Sequence, residues 1–261
     1  MTDGADPKFD PSGTKIAYVL KGKIWTIDVT GKQKKRIGRF MNEARPSWSP
    51  DGKRIVFASY GSGGRKFQLH IMDSNGTNAR TLIEPPTGAY DQDVLPRYSP
   101  DGKYIVWTRA SQLWIMDTSG RNSHPLTNKA AKRSEYIGDF SPDGKFVAYL
   151  RSDNAIEPLL PHTKIWLIRS NSEDQRIFLD TISANHVKWS SDGKFFYYNT
   201  WNVIWKIDVE GKKPKERIFE CPDEAVRWDI SKDEQWIAYD NAYNDYDEVG
   251  KIYLAPLRKN R

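Results

Sequence analysis

Acidic side chains recur in the short segments that link one β-rich stretch of this sequence to the next. If these links meet around a common axis, their carboxylates suit a hard cation such as Ca²⁺ or the basic end of a peptide. A hydrated ring of charges that binds nothing is the alternative. The links contribute the candidate partner-binding residues Glu43, Arg45, Asp91, Asp93, Glu135, Tyr136, His186, Asp223 and Glu224, and a longer loop contributes Tyr243, Tyr246 and Asp247.

Metal-dependent or acid–base catalysis has little support in these residues. Glu43, Asp93 and Glu135 are weak candidates for a Ca²⁺ site, and we otherwise expect no cofactor. A carboxylate pair such as Glu43 with Asp93 would suit glycoside chemistry. His186 has no second histidine at the spacing of metal ligands. We therefore predict a non-catalytic role, with a carbohydrate-active enzyme (a glycosidase or lyase) as the alternative.

Composition narrows the classes of partner. Cys221 is the only cysteine, which excludes an internal disulfide. No apolar run approaches the roughly 18 residues that span a bilayer. The formal net charge is +6, but the lysines follow turns and no nucleic-acid-binding motif accompanies them. We expect a protein or peptide partner, no nucleic acid, no membrane span and a monomer.

The first residues carry no targeting signal. Residues 1–6 have neither the basic start nor the apolar stretch of a secretory signal peptide. We expect a periplasmic or extracellular location if a signal peptide has been removed, and a cytoplasmic location otherwise.

A two-part repeat positions the candidate residues. Its first part is an aromatic residue followed by Ser-Pro-Asp-Gly-Lys, as in Trp48–Lys53, where Asp and Gly suit a tight hairpin turn. Its second part reads Ile-Trp-x-Ile-Asp, as in Ile24–Asp28. The turn glycines recur at intervals of roughly 40–50 residues, which is the length of a four-stranded propeller blade with insertions. They are Gly13, Gly52, Gly102, Gly144 and Gly193.

The repeat predicts an all-β fold with almost no helix, because no segment has a sustained apolar period of about 3.6 residues. Thin sheets that cannot bury their faces alone must stack around an axis. We predict a six-bladed β-propeller of four-stranded antiparallel blades, with residues 1–261 as a single domain. We expect the ring to close without strand exchange, leaving the sixth blade a poor or missing outer strand. The blades are approximately residues 6–40, 41–84, 91–128, 134–180, 184–220 and 223–261.

The paired phrases resemble the TolB-like repeat, a relative of the WD-type propeller repeat, and the resemblance covers the whole chain. The closest copies are Trp48–Ile83 and Tyr98–Thr127. The resemblance implies a periplasmic or extracellular protein-binding platform, or an accessory domain of a peptidase or lyase. In such a propeller the links between blades share one face, here called the link face, with the loops between second and third strands. We predict partner binding there, and solvated basic turns on the opposite turn face.

Overall fold

The computed structural model describes residues 2–60, 66–83, 92–128, 134–152, 163–182, 184–222, 227–241 and 250–257. Within these ranges the chain folds into six four-stranded antiparallel sheets and contains no helix, so the predicted six-bladed propeller is confirmed. Consequently the described part of the chain has no helix that is long and apolar enough to cross a membrane.

Each blade has an inner strand at the central channel, two middle strands and an outer strand, which has two residues except in the fourth and fifth blades, where it has seven and five. The first blade holds β2 (Ala5–Phe9), β3 (Lys15–Leu20), β4 (Lys23–Asp28) and β5 (Lys35–Arg36); the second β6 (Met41–Trp48), β7 (Arg54–Tyr60), β8 (Phe67–Asp73) and β9 (Arg80–Thr81); the third β10 (Asp93–Tyr98), β11 (Tyr104–Arg109), β12 (Gln112–Asp117) and β13 (His124–Pro125). The fourth holds β14 (Ser134–Phe140), β15 (Phe146–Ser152), β16 (Thr163–Arg169) and β17 (Arg176–Ile182); the fifth β18 (Ala184–Trp189), β19 (Phe195–Thr200), β20 (Val203–Asp208) and β21 (Glu216–Glu220). The sixth holds β22 (Arg227–Ile230), β23 (Trp236–Asp240) and β24 (Lys251–Pro256), with β1 (Thr2–Asp3) as its outer strand.

The Ser-Pro-Asp-Gly phrase recurs because it closes the turn between the inner and second strands. In the second blade the Ser49 hydroxyl donates to Asp51 at 2.5 Å, and Asp51 accepts from the Lys53 amide at 3.0 Å. The Arg54 amide then donates to the Ser49 hydroxyl at 2.9 Å. Gly52 has a φ of +69°, a conformation that a residue without Cβ adopts at low cost. The third, fourth and fifth blades repeat these hydrogen bonds.

The degenerate turn of the sixth blade keeps this geometry without glycine. Glu234 occupies the glycine position with a φ of +56°. Its carboxylate accepts hydrogen bonds from the Ser191 amide and the Tyr197 hydroxyl of the fifth blade, each at 2.7 Å. These bonds between blades offset the cost of a positive φ at a residue that carries a Cβ.

The core lies between adjacent blades and not at the centre of the molecule. Clusters of buried side chains join each blade to the next, and the largest members are Trp107 and Trp228. The second phrase of the repeat supplies alternate apolar side chains to these clusters. His70 takes the place of tryptophan in the second blade, where it is 1% exposed and packs against Phe40 and Phe57.

The ring closes by strand exchange, so the expectation of closure without it is wrong. β1 pairs antiparallel with β24, with Thr2 opposite Ile252. Gly4 then carries the chain from the sixth blade into the first, with a φ of +141°, and a Cβ there would lie 2.7 Å from the Tyr18 ring. A two-residue polar strand has no sequence signature of its own, since its pairing depends on β24 being left without an outer neighbour.

Candidate functional site

Glu43 is buried, and backbone amides donate hydrogen bonds to its carboxylate. Its carboxylate accepts hydrogen bonds from the amides of Ile24, Arg39 and Phe40, each at 2.7 Å. Burial raises the pKa of Glu43, although these three hydrogen bonds favour its charged form. Gly38 makes room for the carboxylate, because a Cβ there would overlap Glu43 Oε2. Glu43 thus ties the link between the first and second blades to the first blade.

Asp93 and Glu135 occupy the corresponding positions of the third and fourth blades and are also buried. Asp93 forms a bidentate ion pair with Arg109 (2.6 and 2.7 Å) and accepts a hydrogen bond from the Trp107 indole at 2.8 Å. Glu135 accepts a hydrogen bond from the Thr127 hydroxyl. The three weak metal candidates therefore have separate sets of partners, Asp93 within its own blade and Glu43 and Glu135 at links between blades, and their part in partner binding stays a prediction.

The other predicted residues are divided between the channel and the undescribed segments. Arg45 is half-buried on β6, and Tyr136 is half-buried against the core between the fourth and fifth blades. His186 lies edge-on to the Trp228 ring with centroids 4.9 Å apart, and burial together with nearby cations holds its pKa well below the usual value. Asp91, Asp223, Glu224, Tyr243, Tyr246 and Asp247 lie outside the described residues.

The structure brings together six channel residues that the sequence analysis did not single out. Each immediately precedes the aromatic or apolar residue of the turn phrase, and each pairs with the third residue of the following strand. They therefore form one layer across the channel. We call this layer the channel ring; in blade order it consists of Lys8, Ser47, Arg97, Asp139, Lys188 and Asp229. The sequence could have identified these residues, because a polar residue occupies this same position of the repeat in all six blades.

Ion pairs organise one half of the channel ring. Lys188 Nζ lies 2.8 Å from Asp229 Oδ1, while Asp229 Oδ2 accepts a hydrogen bond from the Phe9 amide at 2.8 Å. Burial lowers the pKa of Lys188, but Asp229 and Asp139 outweigh it, so that the pKa is raised. Burial raises the pKa of Asp139. Three successive blades thus place charges of alternating sign in a low-dielectric channel.

The other half of the ring has an excess of cations. Lys8 Nζ lies 3.3 Å from Asp6 Oδ1, and burial lowers the pKa of Lys8. Burial also lowers the pKa of Arg97. The Arg97 guanidinium donates to the Pro96 carbonyl at 2.9 Å, and no carboxylate of the described residues lies within 4.0 Å of it. Arg97 is therefore a partly buried cation whose one hydrogen bond in the described part of the chain goes to a carbonyl, while the charges of Asp6, Asp139 and Asp229 act on it from farther away.

A cavity of about 450 Å³ contains the whole channel ring and opens on the turn face. Its rim includes prolines of the turn phrases, Pro11, Pro50, Pro100 and Pro142. A larger groove of about 780 Å³ lies on the same face between the third and fourth blades, lined by Tyr104, Met116, His124 and Phe140. Both volumes fall in the range of small-ligand sites.

The described part of the link face carries two large exposed apolar side chains. Trp201 lies in the loop between β19 and β20 and is 68% exposed, and Met41 starts β6 and is 67% exposed. Trp201 also has a φ of +54°, a rare conformation for a bulky residue. The second and fifth blades lie opposite each other in the ring, so these side chains are on opposite sides of the channel.

The sequence matches a protein-family model described as the TolB beta propeller domain over residues 5–244. The chain belongs to the TolB β-propeller family. Two curated relatives share parts of it: the uncharacterized peptidase YuxL of Bacillus subtilis, 33% identical over 40% of the chain, and the Tol-Pal system protein TolB of Anaeromyxobacter dehalogenans, 28% identical over 45% of the chain. The matched segments span only 17% and 28% of these two relatives.

Solved structures confirm the propeller fold of this family member. TolB from Acinetobacter baumannii superposes with a TM-score of 0.68 at 22% identity, covering 87% of this chain and 56% of that one. An oligogalacturonate lyase in complex with manganese superposes with a TM-score of 0.64 at 13% identity, covering 97% of this chain and 76% of that one. Identities this low establish the fold alone.

A manganese site does not fit the described side chains of this propeller. The described residues contain no group of three or more His, Cys, Asp or Glu side chains that could hold a metal ion. The charges of Lys8, Arg97 and Lys188 act on His186 against that of Asp6, so the net positive charge beside this imidazole disfavours a divalent cation.

Proposed function

We propose that this TolB-family propeller is a non-catalytic module that binds a protein or peptide on its link face. The observation that carries the proposal is Trp201, whose indole is 68% exposed on a backbone with a φ of +54°. Tryptophan is among the residues that dominate the energetics of protein interfaces. The positive φ itself belongs to the two-residue hairpin loop, since Lys21 and Ala110 have it at the same position of the first and third blades. What distinguishes the fifth blade is the large apolar side chain that this loop exposes.

The loop that carries Trp201 is held in place although its tip is exposed. The Cys221 amide donates to the Asn202 carbonyl at 2.8 Å, and the Asn202 side chain donates to the Cys221 carbonyl at 3.2 Å. On the other side of the tip, the Trp205 indole donates to the Thr200 hydroxyl at 2.8 Å. A preorganised anchor loses little conformational entropy on binding, so the exposed indole suits insertion into a pocket of a partner.

The family relationship supports the same role. One curated relative is named as a Tol-Pal system protein, and we propose a periplasmic location for this chain by analogy with it. The sequence repeat predicts the same link face for the partner-binding residues of the long loop, Tyr243, Tyr246 and Asp247. They lie outside the described residues, so Trp201 carries the proposal.

Site-specific photo-crosslinking in the native host tests the proposal. A photoreactive phenylalanine analogue replaces Trp201 in one variant and Trp236 in the other. Trp236 is the matched control, because it is 40% exposed on the turn face. We expect a discrete crosslinked protein at position 201 and none at position 236. The partner, once purified, should bind the Trp201→Ala variant at least about tenfold more weakly and the Trp236→Ala variant unchanged. Equal binding by both variants would remove Trp201 from the interface.

A carbohydrate-active enzyme is the second candidate, and one observation favours it. His186, whose pKa is held low, and Asp139, whose pKa is raised by burial, line the same cavity as four cationic residues. A neutral histidine and a carboxyl group beside several cations would suit elimination or hydrolysis on an acidic sugar.

Incubation with oligogalacturonate, with and without manganese, separates the two candidates. The binding-module proposal expects neither new reducing ends nor the ultraviolet absorbance of an unsaturated product. Turnover that disappears in both His186→Ala and Asp139→Asn variants would establish the enzyme instead.

A further inference from the structure

The channel ring alternates in charge except at one blade. From the third blade onward the order is Arg97, Asp139, Lys188 and Asp229, and Lys8 of the first blade continues the alternation. Inner strands of successive blades contact each other in chain order, and β22 contacts β2, so the sequence of charges is a closed circle. Only the second blade breaks it, because Ser47 stands between two cations where the pattern requires an anion.

We propose that the second-blade sector of the channel ring, bounded by Lys8, Ser47 and Arg97, binds the carboxylate of a ligand. The site lies on the turn-face side of the channel. It is distinct from the link-face anchor Trp201, so the inference does not depend on the proposed function.

The three side chains supply complementary donors. A guanidinium presents a planar pair of N–H groups that matches a carboxylate, and the ammonium of Lys8 adds a point charge. Ser47 is 8% exposed, and its hydroxyl has no hydrogen bond within the described residues, so that it is available to donate. All three side chains line the cavity of about 450 Å³, which has room for a small carboxylate or for the end of an extended chain.

The electrostatics of the sector favour an anion. Arg97 contributes to lowering the pKa of Lys8, and burial contributes more. Both cations are therefore poorly solvated and repel one another. A carboxylate between them replaces that repulsion by two attractive contacts, which are stronger in a partly buried channel than in water. Asp6 already pairs with Lys8, and its charge also favours the charged form of Arg97, but no carboxylate of the described residues lies within 4.0 Å of the Arg97 guanidinium.

A substitution that introduces a carboxylate at position 47 tests the proposal. The Ser47→Asp variant places the missing anion in the ring, and Ser47→Asn is the matched neutral control of nearly the same size. We expect the melting temperature of Ser47→Asp to exceed that of Ser47→Asn by about 2–4 °C, the shift that corresponds to roughly 1 kcal/mol in a domain of this size. A Ser47→Asp protein that melts at or below the temperature of Ser47→Asn overturns the proposal.

Binding of a named probe gives the second measurement. Sodium acetate is titrated against sodium chloride at constant ionic strength, and the melting temperature is followed for the wild type, Ser47→Asp and Arg97→Gln. We expect acetate to raise the wild-type melting temperature and to leave both variants unchanged. An equal acetate response in all three proteins identifies a general salt effect and overturns the site.

The source of the carboxylate is resolved by two short peptides, one ending in a free acid and one in an amide. Calorimetry should show binding of the acid peptide that is lost in Arg97→Gln, and at least tenfold weaker binding of the amide. An acid peptide that binds more tightly than acetate identifies a chain terminus as the ligand, and equal affinities identify a small free carboxylate. Equal binding of the acid and the amide contradicts the proposal.

Discussion

His70 should make the stability of this propeller fall in mild acid. The imidazole is 1% exposed between Phe40 and Phe57, and burial lowers its pKa from 6.5 to about 4. In the unfolded chain the ring takes up a proton near pH 6.5, whereas in the folded protein it stays neutral until about pH 4. The unfolded state therefore binds more protons in this window, and stability is lost as the pH falls through it.

The size of the effect follows from the difference between the two pKa values. Each unit corresponds to about 1.4 kcal/mol, so that His70 alone removes about 3 kcal/mol of unfolding free energy between pH 7 and pH 4. The His70→Phe variant lacks this group and keeps an aromatic ring in the stack. The difference in stability between the variant and the wild type should therefore widen by about 3 kcal/mol over the window.

Urea unfolding at several pH values measures this difference. Using a difference between two proteins removes the contribution of His186, whose pKa is also lowered and which both proteins retain. A His124→Gln variant is the control for loss of a histidine, since His124 is exposed. A constant difference between His70→Phe and wild type from pH 7 to pH 4 would refute the assignment of a buried neutral imidazole.

Three further outcomes are expected. Deletion of residues 1–3 should lower the melting temperature by several degrees, because β24 loses its outer neighbour; scanning calorimetry of the truncated protein would show no change if closure were unimportant. The Asp93→Asn substitution should lower the free energy of unfolding in urea by about 3–5 kcal/mol, since it leaves Arg109 buried without its carboxylate. The exposed Asp174→Asn substitution should lower it by less than about 1 kcal/mol. Cys221 should not react with Ellman's reagent in the native state, because burial raises the pKa of its thiol to about 12; rapid reaction of the folded protein would contradict its placement.

The fold could be predicted because the repeat consists of turn and core residues. Ser49, Asp51 and Gly52 act within a few residues of one another, so their hydrogen bonds are visible as a phrase in the sequence. The closing strand could not be predicted in this way. Thr2 and Asp3 pair with a strand about 250 residues away, and nothing in a polar dipeptide identifies that neighbour.

The functional residues were harder to predict because the direction of a side chain depends on the local backbone. The repeat assigns Glu43 and Asp93 to links at the channel mouth, yet both lie on inner strands, where Glu43 accepts from backbone amides and Asp93 pairs with an arginine. In each of the first five blades, the pairing of the inner strand with the second strand shifts in register just before the residue of the channel ring. In three of these blades the bulge contains a residue with φ near +55°, which redirects the following side chains toward the channel.

The charges of the channel also limit what the ring can bind. Five cations and four carboxylates line the described channel and its immediate neighbours, which leaves a formal excess of one positive charge. A single carboxylate in the second-blade sector neutralises that excess, whereas a second anion would have to lie beside Asp139 or Asp229. The site should therefore saturate at one carboxylate per chain, and a dicarboxylate should bind no more tightly than a monocarboxylate of similar size. The charges counted are those of Lys8, Arg45, Arg97, Lys188 and Arg227 against those of Asp6, Asp139, Asp229 and Asp240.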